Sequence, residues 1–263
     1  MIKASYLYYR QFQEYGPKWK AELANILTHT DPDIKSTIAE KAERREMVSK
    51  GGVIMPIILD TLGIKREPNT ADFAFSAFCL GNAIIDDTTE GSITRRESYH
   101  TDEIVGALRN REKLSESHSE DVRAAALLFE YIYNQIPQRK EEFISGIDRL
   151  TNAATQEDTS PNPGVDVRAE IGSAYGGIAK VILSARIEYD LDRYSNFLES
   201  LFAGAAILDD LADLHEDFGV KVTMPLQRLG GWEPSLLGIL NSKIIQTSLA
   251  DSEQEFERGV FRS

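Results

Sequence analysis

Leu80-Gly81-Asn82-Ala83-Ile84-Ile85-Asp86-Asp87-Thr88-Thr89-Glu90 closes an apolar run with carboxylates at positions i, i+1 and i+4. Gly204-Ala205-Ala206-Ile207-Leu208-Asp209-Asp210-Leu211-Ala212-Asp213 repeats that pattern further along, with Glu216 and Asp217 close behind. On a helix, i and i+4 share a face and i+1 flanks it. Two such helices facing each other would present Asp86, Asp87, Glu90, Asp209, Asp210 and Asp213 to one cavity. Like charges gathered in a partly buried site resist joint ionisation, so the cluster needs compensation. Hard divalent cations supply it: Mg²⁺ prefers oxygen ligands, keeps several waters and bridges one or two carboxylates to substrate phosphate oxygens. An acidic triplet is ordinarily a solvated helix face. Here both triplets directly follow apolar, small-residue segments (73–85 and 202–208) that should be buried, so the expected ligand is a diphosphate held through metal.

Composition narrows the alternatives. The chain has 263 residues with a net charge of −13. That balance argues against nucleic acid, whose phosphates need a basic surface. Cys79, the one cysteine, rules out a disulfide framework and reads as a small core residue. No stretch approaches 18 uninterrupted apolar residues, the order of length that spans a bilayer. Met1-Ile2-Lys3-Ala4-Ser5-Tyr6 lacks the basic-then-apolar order of a secretory signal, so a soluble cytoplasmic protein is expected.

Helical signals run nearly throughout. Asp31-Pro32-Asp33 opens a segment predicted to reach Lys50, and Asn69-Thr70 stands where it can cap the helix carrying the first acidic string. Ser117 and Glu120 have capping-box spacing before Val122-Arg123-Ala124-Ala125. Pro137 and the Thr159-Ser160-Pro161-Asn162-Pro163-Gly164 cluster interrupt helices. Segments 171–187 and 194–214 are long and rich in small residues; Gly172, Gly176, Gly177 and Gly204 allow close helix approach or leave room for a ligand. Strand alternation, repeats and low-complexity linkers are absent, which predicts one all-α domain over 1–263.

The order and spacing of these residues resemble the trans-isoprenyl diphosphate synthases of the class I isoprenoid synthase (terpene synthase) superfamily. That family carries D-D-x-x-D, then four residues, then Arg-Arg. Here Asp86-Asp87-x-x-Glu90 is followed by Gly91-Ser92-Ile93-Thr94 and then Arg95-Arg96, and Asp209, Asp210 and Asp213 match the second acidic motif. Gly51-Gly52-Val53-Ile54-Met55-Pro56 resembles the family's G-G-K-R-x-R-P, Gln156 its glutamine facing the metals, and Lys221 the lysine beyond the second motif. The resemblance covers roughly residues 20 to 230. It implies a helical bundle around a central cavity, working as a homodimer. Asp86, Asp87, Asp209 and Asp210 would be catalytic, holding Mg²⁺ (Mn²⁺ able to substitute) together with Glu90 and Asp213. Arg95, Arg96, Arg168 and Lys221 would bind the diphosphate of an allylic prenyl donor, while Phe78 and Asn82, above the first motif, would line the prenyl pocket.

The departures from that pattern are equally informative. The family's glycine-rich element supplies a lysine and an arginine that hold isopentenyl diphosphate. In this chain it is one residue short, with Val53, Ile54 and Met55 at the basic positions. No apolar side chain replaces a bidentate arginine on phosphate; Arg44, Arg45 or Lys50 would have to reach in from the preceding turn. Ala205-Ala206 stand where the family has F-Q, and its Lys-Thr pair has no counterpart beyond the nearby Arg168. The resemblance therefore implies prenyl transfer from an allylic diphosphate to an atypical acceptor, in outline similar to the compact prenyltransferases of the moenomycin-assembly kind. A class I terpene cyclase, a standard polyprenyl diphosphate synthase and an inactive partner subunit of a prenyl synthase stand as alternatives. His215 reads as a solvent-facing neighbour of the second string. His29, His100 and His118 show no ligand spacing with Cys79 or with each other, so zinc is not expected.

Overall fold

A computed structural model describes residues 2–64, 72–86, 100–159, 165–185 and 191–212. These are helical throughout with no strand among them. The helices are α1 (Ile2–Ile26), α2 (Pro32–Arg44), α3 (Glu46–Ser49), α4 (Ile54–Thr61), α5 (Asp72–Asp86), α6 (Thr101–Asn110), α7 (Glu120–Gln135), α8 (Lys140–Thr159), α9 (Val165–Ser184) and α10 (Ser195–Ala212). Short 3₁₀ turns lie at Gly51–Val53 and Asp192–Tyr194. The all-α expectation holds for the described residues, and none of their helices is long and apolar enough to cross a membrane. Asn69, Thr70 and the 160–164 cluster lie outside the described residues.

Local chemistry sets most boundaries, and two differ from the sequence reading. The Asp31 carboxylate accepts from the Asp33 amide at 2.9 Å and Pro32 opens α2, as a helix start requires. That helix stops at Arg44 instead of running on to Lys50. Arg45 leaves helical geometry (φ −109°, ψ 46°), and its amide still closes on the Lys41 carbonyl at 2.8 Å. The cap of α7 is Ser119, not Ser117: its hydroxyl accepts from the Val122 amide at 3.3 Å. Ser117 is taken up by a hydrogen bond to Ser115 at 2.5 Å.

The chain divides into two compact units, Met1–Lys140 with Ile182–Glu188, and Glu141–Val181 with Tyr189–Ser263. In the first, α5 packs against α1, α2, α3, α4, α7 and the Gly51–Val53 turn. A helix apolar on every side must be covered on every side. Phe75, Phe78, Leu80, Ile84 and Ile85 are all buried. Two glycines permit the closest contacts: a Cβ on Gly81 would come within 2.8 Å of the Phe129 ring, and one on Gly51 within 2.8 Å of Cys79 Sγ. Burial pushes the Cys79 thiol up to about 12, so it stays protonated at neutral pH. The buried Ser76 hydroxyl accepts from the Gly52 amide at 3.0 Å and shares a 2.8 Å hydrogen bond with the Tyr15 hydroxyl. That satisfied polar knot ties α1, the 3₁₀ turn and α5 together.

In the second unit α9 and α10 meet backbone to backbone. A Cβ on Gly172 would lie 2.3 Å from the Phe202 carbonyl oxygen, and one on Gly176 2.6 Å from that of Leu198. Gly146 lets α8 approach the Ile178 side chain in the same way, at 2.6 Å. The expectation that Gly172 and Gly176 serve close helix approach is met. Gly177, one position on, meets nothing nearer than Arg149 Nη1 at 3.7 Å.

Alanine substitution should separate these roles. Gly172→Ala and Gly176→Ala force carbon into backbone atoms that cannot rotate away, so each should cost about 1–3 kcal/mol or more. Gly106 lies inside α6 with open space around it, and Gly106→Ala should stabilise by about 0.5–1 kcal/mol through helix propensity. Urea midpoints of the three variants check the order.

Candidate functional site

Each acidic string lies in a different unit, and the described residues show part of each. Asp86 is the last residue of α5, half-buried, with Oδ1 shielded from solvent. Asn82, one turn earlier and itself buried, donates from Nδ2 to Asp86 Oδ2 at 3.1 Å. Phe78 precedes Asn82 by one more turn on the same stripe. It is fully buried, stacked on Phe129 with centroids 6.0 Å apart and tilted against Phe75 at 5.9 Å. A carboxylate thus terminates a helix whose preceding turns are locked by aromatic packing. The Asn82 amide restrains its rotamer from one turn away. Asp87, Glu90, Arg95 and Arg96 lie outside the described residues.

On the second string, Asp209 and Asp210 are carried by α10, their side chains outside the described residues together with Asp213, His215 and Lys221. The second unit does bring Gln156 and Arg168 into one neighbourhood. Arg168 on α9 reaches Glu157 on α8, with 3.7 Å between Nη1 and Oε2. Gln156, next to Glu157, is exposed and lines a polar cleft of about 490 Å³ with Asp148, Arg149, Asn152 and Glu170.

Arg149, in that cleft, is a residue the sequence reading passed over. Its Nε and Nη2 donate to the two carboxylate oxygens of Glu170 at 2.6 and 3.1 Å, Nη1 donates to Glu199 at 2.9 Å, and Nη2 also meets Ser173 Oγ at 2.9 Å. The bidentate fork on Glu170 is the geometry that only a guanidinium supplies. One arginine of α8 therefore fastens α9 and α10. Burial alone would raise the Glu199 carboxyl. Hydrogen bonds from Arg149, Ser173 and Ser195 and the Arg149 charge outweigh it and hold the group below its ordinary value of 4.5. No spacing rule links residues so far apart in the chain, which is why this clamp was not legible beforehand.

The Gly51–Pro56 segment, expected from the resemblance to stand at the acceptor element, lies within the described residues. Val53 and Met55 are core side chains at 1% and 0% exposure, so neither meets a phosphate. Lys50 is engaged by Glu46 in an ion pair and lies over the Phe12 ring, 4.5 Å from its centroid. Arg44 and Arg45 are exposed. A separate cavity of about 390 Å³ opens in the first unit between the start of α2, α6 and α7. Ile104, Leu108, Leu127 and Tyr133 give it an apolar lining and Arg111 and Arg123 a basic one; among the described residues, Asp86 does not line it.

Two histidines without ligand spacing in the sequence come together in the structure. His100 precedes α6 and His118 precedes α7, and their rings meet edge to face with centroids 5.2 Å apart. Glu103, on the first turn of α6, joins them: one ligand atom from each of the three lies within 4.8 Å of the other two. The histidines stand eighteen positions apart in sequence, too far for a spacing rule; the packing of α6 on α7 unites them.

The Glu199 arrangement gives an acid-sensitivity with a defined sign. Its native pKa is depressed, so its stabilisation is fully present above about 4.5 and is lost as pH falls through the lower native value. Glu199→Gln should flatten the acid limb of a stability–pH curve measured by urea unfolding, and Arg149→Lys should lower stability at neutral pH because a lysine cannot reproduce the fork. Comparison of the chain with protein-family models, with curated proteins and with solved structures returns no match.

Proposed function

We propose that this chain is a Mg²⁺-dependent prenyltransferase built on the class I isoprenoid synthase fold. It ionises an allylic prenyl diphosphate and passes the prenyl group to an acceptor other than isopentenyl diphosphate. The observation that carries the reading is the pair of acidic strings with Arg95-Arg96 in register after the first. Asp86 supports it: a half-buried carboxylate oriented by Asn82 is an oxygen donor of the hard kind that Mg²⁺ selects.

In this scheme Asp86, Asp87 and Glu90, with Asp209, Asp210 and Asp213, would hold the metal. The metal supplies the positive charge that a departing diphosphate requires. Asn82 keeps the Asp86 carboxylate in one rotamer, so no ordering cost falls on the reacting complex. Arg95, Arg96 and Lys221 would take the remaining phosphate oxygens through charge-assisted hydrogen bonds, with Arg168 and Gln156 in supporting roles. Phe78, buried one turn above Asn82, would back the wall that keeps water from the allylic cation. The acceptor follows from what is missing: Val53 and Met55 pack into the core where a synthase of the usual kind needs cations.

The test is incubation with Mg²⁺ and geranyl, farnesyl or geranylgeranyl diphosphate, with and without isopentenyl diphosphate, followed by mass analysis of products. Metal-dependent diphosphate release is expected, abolished in Asp86→Asn and Asp209→Asn while helicity persists. Each charge-assisted phosphate contact is worth roughly 1.5–3 kcal/mol, so losing two should leave isopentenyl diphosphate unincorporated. Efficient elongation would make the chain a standard polyprenyl diphosphate synthase. Release with cyclised hydrocarbon would make it a terpene cyclase, and inertness toward every donor would point to the partner-subunit alternative.

A further inference from the structure

We propose that His100, Glu103 and His118 form a binding site for a transition-metal dication, with Zn²⁺ the ion their ligand set favours. The site belongs to the first unit and shares no residue with the acidic strings. Two imidazoles and one carboxylate are the donor types of three-ligand zinc centres, which leave a further position for water or a ligand. Magnesium, by contrast, takes oxygen and coordinates imidazole poorly.

Three features of the geometry point the same way. First, the donor atoms lie within 4.8 Å of one another, and bonds of about 2.0–2.1 Å to a tetrahedral ion require them about 3.3 Å apart. Side-chain rotation closes that gap, since His100 and Glu103 are 41% and 51% exposed and have room to turn. Second, His118 is already oriented. Its Nδ1 lies 3.3 Å from the Ser115 carbonyl oxygen and 3.2 Å from the Ser115 hydroxyl. Donation from Nδ1–H to the carbonyl fixes the tautomer and leaves the Nε2 lone pair for a metal, the outer-shell arrangement that metal-bound histidines use. Third, His100 adopts a left-handed backbone (φ 43°, ψ 46°) at the N-cap of α6 and makes no side-chain cap. Its carbonyl still accepts from the Ile104 amide at 2.9 Å, so the helix starts normally. A non-glycine residue held there bears a conformational cost, and its side chain is directed toward Glu103 and His118 instead of the helix end.

The experiment is a competition titration of the full chain, stripped of metal with a chelator, against a chromogenic zinc indicator. One Zn²⁺ per chain should bind, and excess Mg²⁺ should not displace it. His118→Ala and Glu103→Gln should each weaken uptake by at least about tenfold, the lower bound expected even of a residue that only orients a ligand. His29→Ala and Asp86→Asn should bind as the parent does, which separates this site from stray histidine binding and from the acidic strings. Glu103→Gln changes one exposed atom, so loss of fold does not confound it; circular dichroism checks the alanine variant. Zinc binding unchanged in both ligand variants, displaced by Mg²⁺, or abolished in Asp86→Asn would overturn the proposal.

Discussion

A helix packed by neighbours over most of its surface governs the first unit. Between Asp72 and Asp86, α5 has no charged residue, and five helices and the Gly51–Val53 turn pack on it, leaving the stripe of Cys79, Ala83 and Asp86 part-exposed. Such a helix cannot slide or rotate without exposing aromatic surface, so the positions of its end residues are set by the packing of its middle. Gly81 and Gly51 bring Phe129 and Cys79 into contact, and Ser76 meets its hydrogen-bonding need with Tyr15 and Gly52. Asp86 inherits that rigidity. A carboxylate at the end of a fixed rod, restrained by Asn82, has its position set by the fold itself.

The second unit reaches rigidity by different means. Glycines strip α9 down to backbone where it crosses α10, and close packing there leaves no slack for side-chain adjustment. Arg149 then adds a directional lock through Glu170, Glu199 and Ser173. These groups keep partial contact with solvent, so their value lies more in fixing geometry than in raw stability. Gln156 and the Glu157–Arg168 pair sit on the same helices and are held in register by that lock.

Two kinds of donor set occur in one chain and differ in what they select. The acidic strings offer only oxygen, suited to a hard ion that keeps its waters and meets a diphosphate. The His100, Glu103 and His118 set mixes nitrogen and oxygen, suited to borderline ions. Chemical hardness keeps the two proposals separable although both concern divalent cations.

The sequence by itself determined the helical class, the start at Asp31, the interruption at Pro137 and the burial of the run before Asp86, and it offered Gly172 and Gly176 for close helix approach or for ligand room. These depend on periodicity, capping chemistry and residue size, which act within a few turns of the chain. It also supplied the two acidic strings and the apolar run Val53-Ile54-Met55 after Gly51-Gly52, which need no structure to be seen. Only the tertiary structure decided that α2 breaks at Arg45, that Ser119 takes the cap of α7, that Arg149 joins Glu170 to Glu199, and that His100 and His118 converge on Glu103. The reason is reach. Helix class and the burial of an apolar run follow from residues a few turns apart, whereas the choice between neighbouring caps, an ion-pair fork or a histidine cluster depends on how separate elements pack and on the distances that packing sets.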